Sequence, residues 1–355
     1  CGVAGTSGKS TTTAMLAHIL TTTGPKPSVV NGAPMLNVLD AEGIAQGWQY
    51  ASEGPFLCEV DESDGTIANY DPKIGVVLNI SEDHKTLNEL EDLFRGYLHR
   101  SEHCVIGLDS PLSARLAEEL DEGSRTTFSL RDDSADFYAE IETRDREGLI
   151  GQVRRRGEPV MTLRLPLIGA FNLGNALAAL AAAERFGVPL EAASAALLTF
   201  KGSARRLQTI QATRRGTVID DFAHNPDKIA ASIDALSHHY PRLTVLYQPH
   251  GYGPLHMYRD LYEAAFACSL RAGDRLVVTE PVYFGGTVNR TDDAALMAKG
   301  LADRGLDVHY TESRDAAIPL LEGGRPNEAV VVMGARDDGL TTFACELAEH
   351  LDTER

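Results

Sequence analysis

The feature that most constrains this 355-residue chain is the run Gly5-Thr6-Ser7-Gly8-Lys9-Ser10-Thr11-Thr12 near its start. An apolar stretch, Cys1–Ala4, leads into it, and Lys9–Leu20 beyond it reads as a helix. Strand, glycine turn and helix in that order are the setting of a phosphate-binding loop. Successive backbone N–H groups and the helix N-terminus present positive potential to phosphate oxygens. Lys9 adds a mobile charge for the β- and γ-phosphates, and the Ser10 hydroxyl suits Mg²⁺. The general pattern places a glycine five residues before Gly8; Val3 stands there, so the loop is a shorter variant. The competing reading is a plain glycine turn with a solvated Lys9. Glycine, lysine and hydroxyl in register weigh against it.

The rest of the chain suits such a loop. Phe56–Val60 and Ile74–Ile80 read as buried strands and Glu89–His99 as a helix. From Asp136 to Leu165 short alternating segments point to antiparallel hairpins, inserted into or flanking an α/β domain. Ala176–Phe186 reads as an alanine-rich helix stopped by Gly187, and Pro189 starts another that ends near Phe200. A domain boundary is expected at the basic residues after Gly202, giving domains over 1–204 and 205–355. Beyond it, strands at Val218–Asp220, Leu243–Leu246, Arg275–Val278 and Val330–Met333 alternate with helices at Asp227–Ser237, Tyr258–Ala267, Asp292–Ala302 and Thr341–His350. That alternation predicts a mostly parallel, doubly wound sheet. The expected fold class is therefore α/β, a P-loop central domain with inserted hairpins followed by a Rossmann-like C-terminal domain.

Charge and composition narrow the partners. The chain has 33 Lys and Arg against 51 Asp and Glu, a formal net charge of −18, which repels polyanions and argues against nucleic-acid or membrane-surface binding. No apolar run is long enough to span a bilayer. Five scattered cysteines without a C-x-x-C pair speak against disulfides and structural zinc and fit a reducing cytoplasm. Cys1 opens directly into an apolar strand, which reads as a fragment with its natural N-terminus upstream. The oligomeric state is left open.

Two further clusters carry chemistry. Glu59-Val60-Asp61-Glu62-Ser63-Asp64 ends an apolar strand, and four carboxylates so close together need a cation or open water. Asn79-Ile80-Ser81-Glu82-Asp83-His84 follows another strand. If the three strands are neighbours, Lys9, Glu59 and His84 share one rim. Arg154, Arg155 and Arg156 read as a solvated hairpin turn, since few aromatics interleave with them. Tyr283-Phe284-Gly285-Gly286-Thr287 reads equally as a substrate loop or an ordinary glycine loop. Cys58 reads as a strand residue with no adjacent histidine to activate it.

These three segments resemble the central domain of the Mur ligase family. Further stretches match in chain order: Gly169-Ala170-Phe171-Asn172-Leu173-Gly174-Asn175-Ala176, Phe200-Lys201-Gly202 with Arg205-Arg206, Asp220-Asp221-Phe222-Ala223-His224-Asn225-Pro226, and Gln248-Pro249-His250-Gly251-Tyr252. The resemblance implies an ATP- and Mg²⁺-dependent, ADP-forming ligase that joins an amino acid, L-alanine by the nearest motifs, to UDP-N-acetylmuramate through an acyl phosphate. It implies that Gly5, Thr6, Ser7, Gly8, Lys9, Ser10 and Thr11 hold the ATP phosphates, with Ser10 and Glu59 on one Mg²⁺ and His84 on a second. Asn175 is then near the base, Arg206 reaches the γ-phosphate, Asp221 and His224 serve the nucleotide, and His250 and Tyr252 lie near the amino acid. Lys9, Glu59, His84 and Arg206 form the implied catalytic set.

The chain departs from the family at Ser7, Phe171 and Phe222. It departs again after Tyr252, where Ser-Arg-Thr-Arg becomes Gly253-Pro254-Leu255-His256 and Arg259 is the nearest substitute. The family's UDP-binding N-terminal domain has no counterpart in these residues. A different acceptor, such as a murein tripeptide, folate or cyanophycin, and a nucleotide-binding partner protein without ligase activity are the alternatives.

Overall fold

The computed structural model describes residues 1–81, 85–145, 147–282, 290, 293–322 and 324–353. The chain divides into two compact units, Cys1–Ala204 and Arg205–Arg355. In the first unit, β1 (Gly2–Ala4) runs through the glycine turn into α1 (Lys9–Thr23). A ribbon of β2 (Ser28–Leu39) and β3 (Ala45–Gln49) follows, then β4 (Phe56–Glu59) and β5 (Ile74–Val77). Next come α2 (Leu87–Arg100), β6 (His103–Gly107), α3 (Pro111–Glu118), β7 (Arg125–Ser129) and the hairpin strands β8 (Phe137–Asp145), β9 (Gly148–Arg155) and β10 (Glu158–Leu165). α4 (Phe171–Arg185) and α5 (Leu190–Leu197) complete the unit.

One sheet runs β10-β9-β8-β7-β6-β5-β1-β4-β2-β3. β1 pairs in parallel with β4 on one side and β5 on the other, so the three strand ends that the sequence singles out lie side by side. The expected hairpins are present as β8–β10. They are not a separate insertion: β8 pairs in parallel with β7 and carries the same sheet onward. β5 ends at Val77, short of the expected Ile80, because residues 78–81 leave the sheet to clasp the glycine turn. The β2–β3 ribbon was not foreseen. Its turn closes on Asp40, whose Oδ1 accepts the Glu42 and Ile44 N–H groups.

One core layer lies between this sheet and α1, α4 and α5, the other under α2 and α3. α4 is apolar all round from Ala176 to Ala183, and every one of those residues is fully buried; a helix with no polar face belongs inside a core. It begins at Phe171, so the Gly169–Ala176 motif forms its first turn.

The second unit holds β11 (Gln208–Thr213), β12 (Gly216–Asp221), α6 (Pro226–Ser237), β13 (Leu243–Gln248), α7 (Tyr252–Ser269), β14 (Arg275–Thr279), α8 (Asp293–Ala302), β15 (Asp307–Thr311), α9 (Arg314–Leu321), β16 (Ala329–Gly334) and α10 (Gly339–Asp352). The sheet order is β11-β12-β16-β13-β14-β15, parallel except for β11. This is the predicted doubly wound arrangement. α7 starts six residues before the expected Tyr258, and the chain kinks there, at φ −119° and ψ 17°. α8 opens at Asp293, and Asp292 lies outside the described residues. All five cysteines are free. Among the described residues no helix is long and apolar enough to cross a membrane.

Leu180 is fully buried in α4. Leu180→Ala is expected to lower unfolding free energy by about 2–5 kcal/mol, read from urea denaturation; a loss below about 1 kcal/mol would show that this layer closes around the gap.

Candidate active-site elements

In the first unit, reciprocal hydrogen bonds tie the glycine turn to the exit of β5. Thr6 N–H donates to the Asn79 carbonyl at 3.0 Å, and Ser7 N–H donates to Asn79 Oδ1 at 3.0 Å. Asn79 Nδ2 returns a bond to the Ser7 carbonyl at 2.9 Å. Thr6 Oγ1 donates to the Ser81 carbonyl at 3.1 Å and accepts the Ser81 N–H at 3.0 Å. Gly8, at φ 91°, is the N-cap of α1 and supplies no side-chain acceptor. No side chain caps the first-turn N–H groups of α1, as an anion site requires.

Asn175 on α4 is buried beneath this turn. Its Nδ2 donates to Asn172 Oδ1 at 3.0 Å, and a Cβ on Gly8 would collide with its Oδ1. The side chain therefore packs directly under the glycine turn.

Lys9 Nζ sits 2.8 Å from Glu62 Oε2 and 3.8 Å from Asp61 Oδ1. Glu59, at the end of β4, accepts the Gly32 N–H on Oε2 at 2.7 Å. A Cβ on Gly32 would come within 2.6 Å of that oxygen, so any larger residue would push the carboxylate aside. Ser10, one turn away at the start of α1, is buried, and its carbonyl accepts from Asn31 Nδ2 at 3.2 Å. Asn31 also donates to the Ala33 carbonyl at 2.9 Å, while its own Oδ1 has no partner. Sequence reasoning missed Asn31 and Gly32. The signal available was an Asn-Gly pair inside an otherwise apolar strand.

In the second unit, Arg205 is buried against the ends of β12 and β16. Its guanidinium donates to Asp220 Oδ1 at 3.4 Å, to the Gly334 carbonyl at 2.8 Å and to the Asp337 carbonyl at 3.2 Å. Arg205 and Arg206 both approach the Phe222 ring, at 5.0 and 4.6 Å from its centroid. Arg206 is only partly buried. His224 Nδ1–H donates to the Phe222 carbonyl at 2.9 Å. The His224 ring packs edge-on to those of Phe222 and His250, at 5.4 and 5.2 Å. Arg206, Phe222, His224 and His250 thus form one continuous set of side chains.

Asp221 lies apart from that set. It is buried, Oδ1 accepts the Leu207 N–H at 3.1 Å, and Oδ2 accepts the Ser232 hydroxyl at 2.6 Å. Leu207 and Arg205 both have positive φ, 49° and 57°, and Asp221 fastens that strained turn. Through the Leu207 N–H it fixes the backbone on either side of Arg206. Both of its oxygens are thus engaged within the second unit. Burial pushes the Asp220 and Asp221 carboxyls above the usual value, partly offset at Asp220 by Thr341 and Arg205, and at Asp221 chiefly by the Ser232 hydroxyl.

Two families of known domains match the chain. The model of the Mur ligase middle domain covers residues 3–183, and that of the Mur ligase glutamate ligase domain covers residues 205–336. The chain belongs to the Mur ligase family. It is 32% identical over 344 residues to the UDP-N-acetylmuramate–L-alanine ligase of Gloeobacter violaceus, covering 94% of this chain and 71% of that protein. The enzyme of the same name from Thermobifida fusca is 31% identical over 368 residues, with 95% and 73% covered. Among solved structures, UDP-N-acetylmuramate-alanine ligase MurC from Thermotoga maritima superposes with a TM-score of 0.77 at 24% identity, over 99% of this chain and 74% of that one. A murein peptide ligase from Psychrobacter arcticus gives 0.66 at 22%, over 100% and 77%. Both likenesses show the shared fold.

For a Mur ligase, the structure gathers Gly5, Thr6, Ser7, Gly8, Lys9, Ser10, Thr11 and Glu59 at the C-terminal ends of the neighbouring parallel strands β1 and β4. His84 lies outside the described residues, as do Tyr283–Thr287. Among the described residues no trio of His, Cys, Asp or Glu forms a metal cage; the implied site is instead a hydroxyl and a carboxylate. Tyr252 is buried, with burial and the Glu280 carboxylate to which it hydrogen-bonds raising its pKa. Arg259 does not stand free in place of the missing arginines: it bonds Asp293 at 2.8 Å, and its Nε lies 3.7 Å from Glu263. His256 is also held on Asp293, at 2.9 Å.

A carboxyl whose folded pKa lies above its ordinary 3.8 gives stability that is complete below that value and lost as pH rises through the folded one. Asp220→Asn removes this linkage. Its melting temperature relative to the parent should rise as pH goes from about 4 towards neutrality; a difference flat with pH would show that Asp220 is not the linked group.

Proposed function

We propose that the two units are the nucleotide-binding and ligase portions of an ATP- and Mg²⁺-dependent, ADP-forming enzyme that joins L-alanine to UDP-N-acetylmuramate for peptidoglycan synthesis in the cytoplasm. The observation that carries this is the side-by-side exit of β4, β1 and β5, which brings Glu59, the Lys9 loop and Asn79 to one edge in a chain whose relatives bear that name.

The chemistry follows from charge. A substrate carboxylate oxygen attacks the γ-phosphorus, the bond to the β–γ bridging oxygen breaks, and ADP leaves. The amine nitrogen then attacks the acyl-phosphate carbon, inorganic phosphate departs, and the nitrogen loses a proton. Both steps bring anions together, so cationic and N–H donors must face them. Lys9 and the N–H groups of the loop and first turn of α1 hold the β- and γ-phosphates. Arg206, steadied by the Phe222 ring, serves the γ-phosphate, His224 acts beside it, and His250 and Tyr252 orient the amine. Asp221 holds the Arg205–Leu207 turn from behind. Asn175 supports the loop from below.

Ser10 Oγ and Glu59 Oε1 are engaged by no other described residue, and hard oxygen donors suit Mg²⁺. When bound there, and at a second position with His84, Mg²⁺ supplies positive charge to the phosphate oxygens. The small-molecule substrates are thus an anionic sugar nucleotide and an amino acid. A second reading, the same chemistry with a different amine, is favoured by Gly253-Pro254-Leu255-His256 and by the tethering of Arg259 and His256 to Asp293.

The test is ADP and phosphate release by the protein carrying this chain, supplied with UDP-N-acetylmuramate and single amino acids. L-Alanine should give the largest kcat/KM, and Lys9→Ala should abolish turnover. AMP and pyrophosphate as products would refute the assignment, and a preference for another amino acid would favour the second reading. Gly32→Ala, which drives a methyl against Glu59, should raise the Mg²⁺ concentration for half-maximal nucleotide binding roughly fivefold or more without changing Mg²⁺-free affinity. Unaltered Mg²⁺ dependence would remove Glu59 from the metal site.

A further inference from the structure

Glu59 and Glu62 leave the same strand end and are compensated differently. Glu59 takes a neutral backbone N–H from Gly32 and keeps its full negative charge for an arriving cation. Glu62 takes the Lys9 ammonium at 2.8 Å, and both side chains are withdrawn from water, at 13% exposure for Lys9 and 7% for Glu62. Among the described residues Lys9 is the side-chain partner of the Glu62 carboxylate. Asp61, 3.8 Å from the same ammonium, is 55% exposed and well solvated, so it depends on Lys9 far less.

We propose that Glu62 is a positioning residue of the phosphate loop, an internal anion that occupies Lys9 in the empty site and competes with nucleotide phosphate for it. The inference rests on the reading of Gly5–Thr11 as a nucleotide loop. Lys9 begins α1, whose first-turn N–H groups carry no side-chain cap, so a phosphate on those groups draws the ammonium towards itself. Glu62 then loses its counter-ion beside an incoming polyanion, and a buried carboxylate stripped of its partner is costly. Each gain at the phosphate is therefore offset by a loss at Glu62. The pair also keeps Lys9 extended and dry before nucleotide arrives, which limits promiscuous capture of smaller anions: a single phosphate must displace Glu62 with fewer contacts than a di- or triphosphate makes.

The experiment is ADP titration by calorimetry in EDTA, on the parent protein, Glu62→Gln, Lys9→Ala and the double variant, with thermal melts of each. Glu62→Gln keeps the shape and removes the charge. It should bind ADP roughly tenfold more tightly and melt at a lower temperature when empty. It should also bind inorganic phosphate more tightly, and the gain in ADP affinity should vanish in the Lys9→Ala background. Glu62→Asp, which draws the carboxylate back by one methylene, should shift affinity in the same direction and serves if the glutamine variant folds poorly. Weaker or equal ADP binding by Glu62→Gln, with the parent binding normally, overturns the competition and leaves the nucleotide reading standing. A gain that persists without Lys9 also overturns it. Failure of both the parent and Glu62→Gln to bind ADP overturns the nucleotide reading and this inference with it.

Discussion

The three-residue strand β1 carries the first unit's site through its parallel pairing with β4 and β5. It contributes few ladder bonds of its own, yet its position in the sheet decides which strand ends can cooperate. Separation of β4 from β1 by even one strand would carry Glu59 about 5 Å away from the loop, beyond what one side chain can recover. The clasp between Thr6, Ser7, Asn79 and Ser81 depends on the same adjacency to β5.

Around that frame, several side chains of the candidate site are held by internal partners, of which Glu62, Asn175 and Asp221 are buried. Gly32 sets Glu59, Glu62 sets Lys9, Asn175 underlies Gly8, and Asp221 fixes the turn that bears Arg206. Asp221 and Asn175 both brace backbone segments of positive φ, at Leu207 and at Gly8.

The phosphate loop was legible because glycine, lysine and hydroxyl must occur together and in register, and the alternation of strands and helices after Val218 was legible from its apolar runs. The neighbourhood of β1 was only a condition in the sequence, since sheet order depends on crossovers that local pattern does not encode. The β2–β3 ribbon escaped notice because Gly32 and Pro34 interrupt its apolar run, and glycine and proline usually mark a turn. Burial of Asp221 escaped for a related reason. An Asp-Asp pair at a strand end looks like a rim feature, and only the tertiary packing that brings Arg205 and Thr341 to Asp220 and Ser232 of α6 to Asp221 turns both carboxylates inward. The standing of Arg259 depends on Asp293, thirty-odd residues further along, a tertiary meeting that no periodicity announces.

The alanine run of α4 has a consequence for how this chain can drift. Where a core is filled from Ala176 to Ala183 by alanine methyls around Leu177 and Leu180 on every side of one helix, there is no slack for a larger residue, and the two leucines cannot shrink without leaving a void. Such a segment tolerates neither growth nor polarity, so its composition is held by geometry alone, and divergence among descendants of this sequence must accumulate elsewhere, in places like the exposed β2–β3 edge.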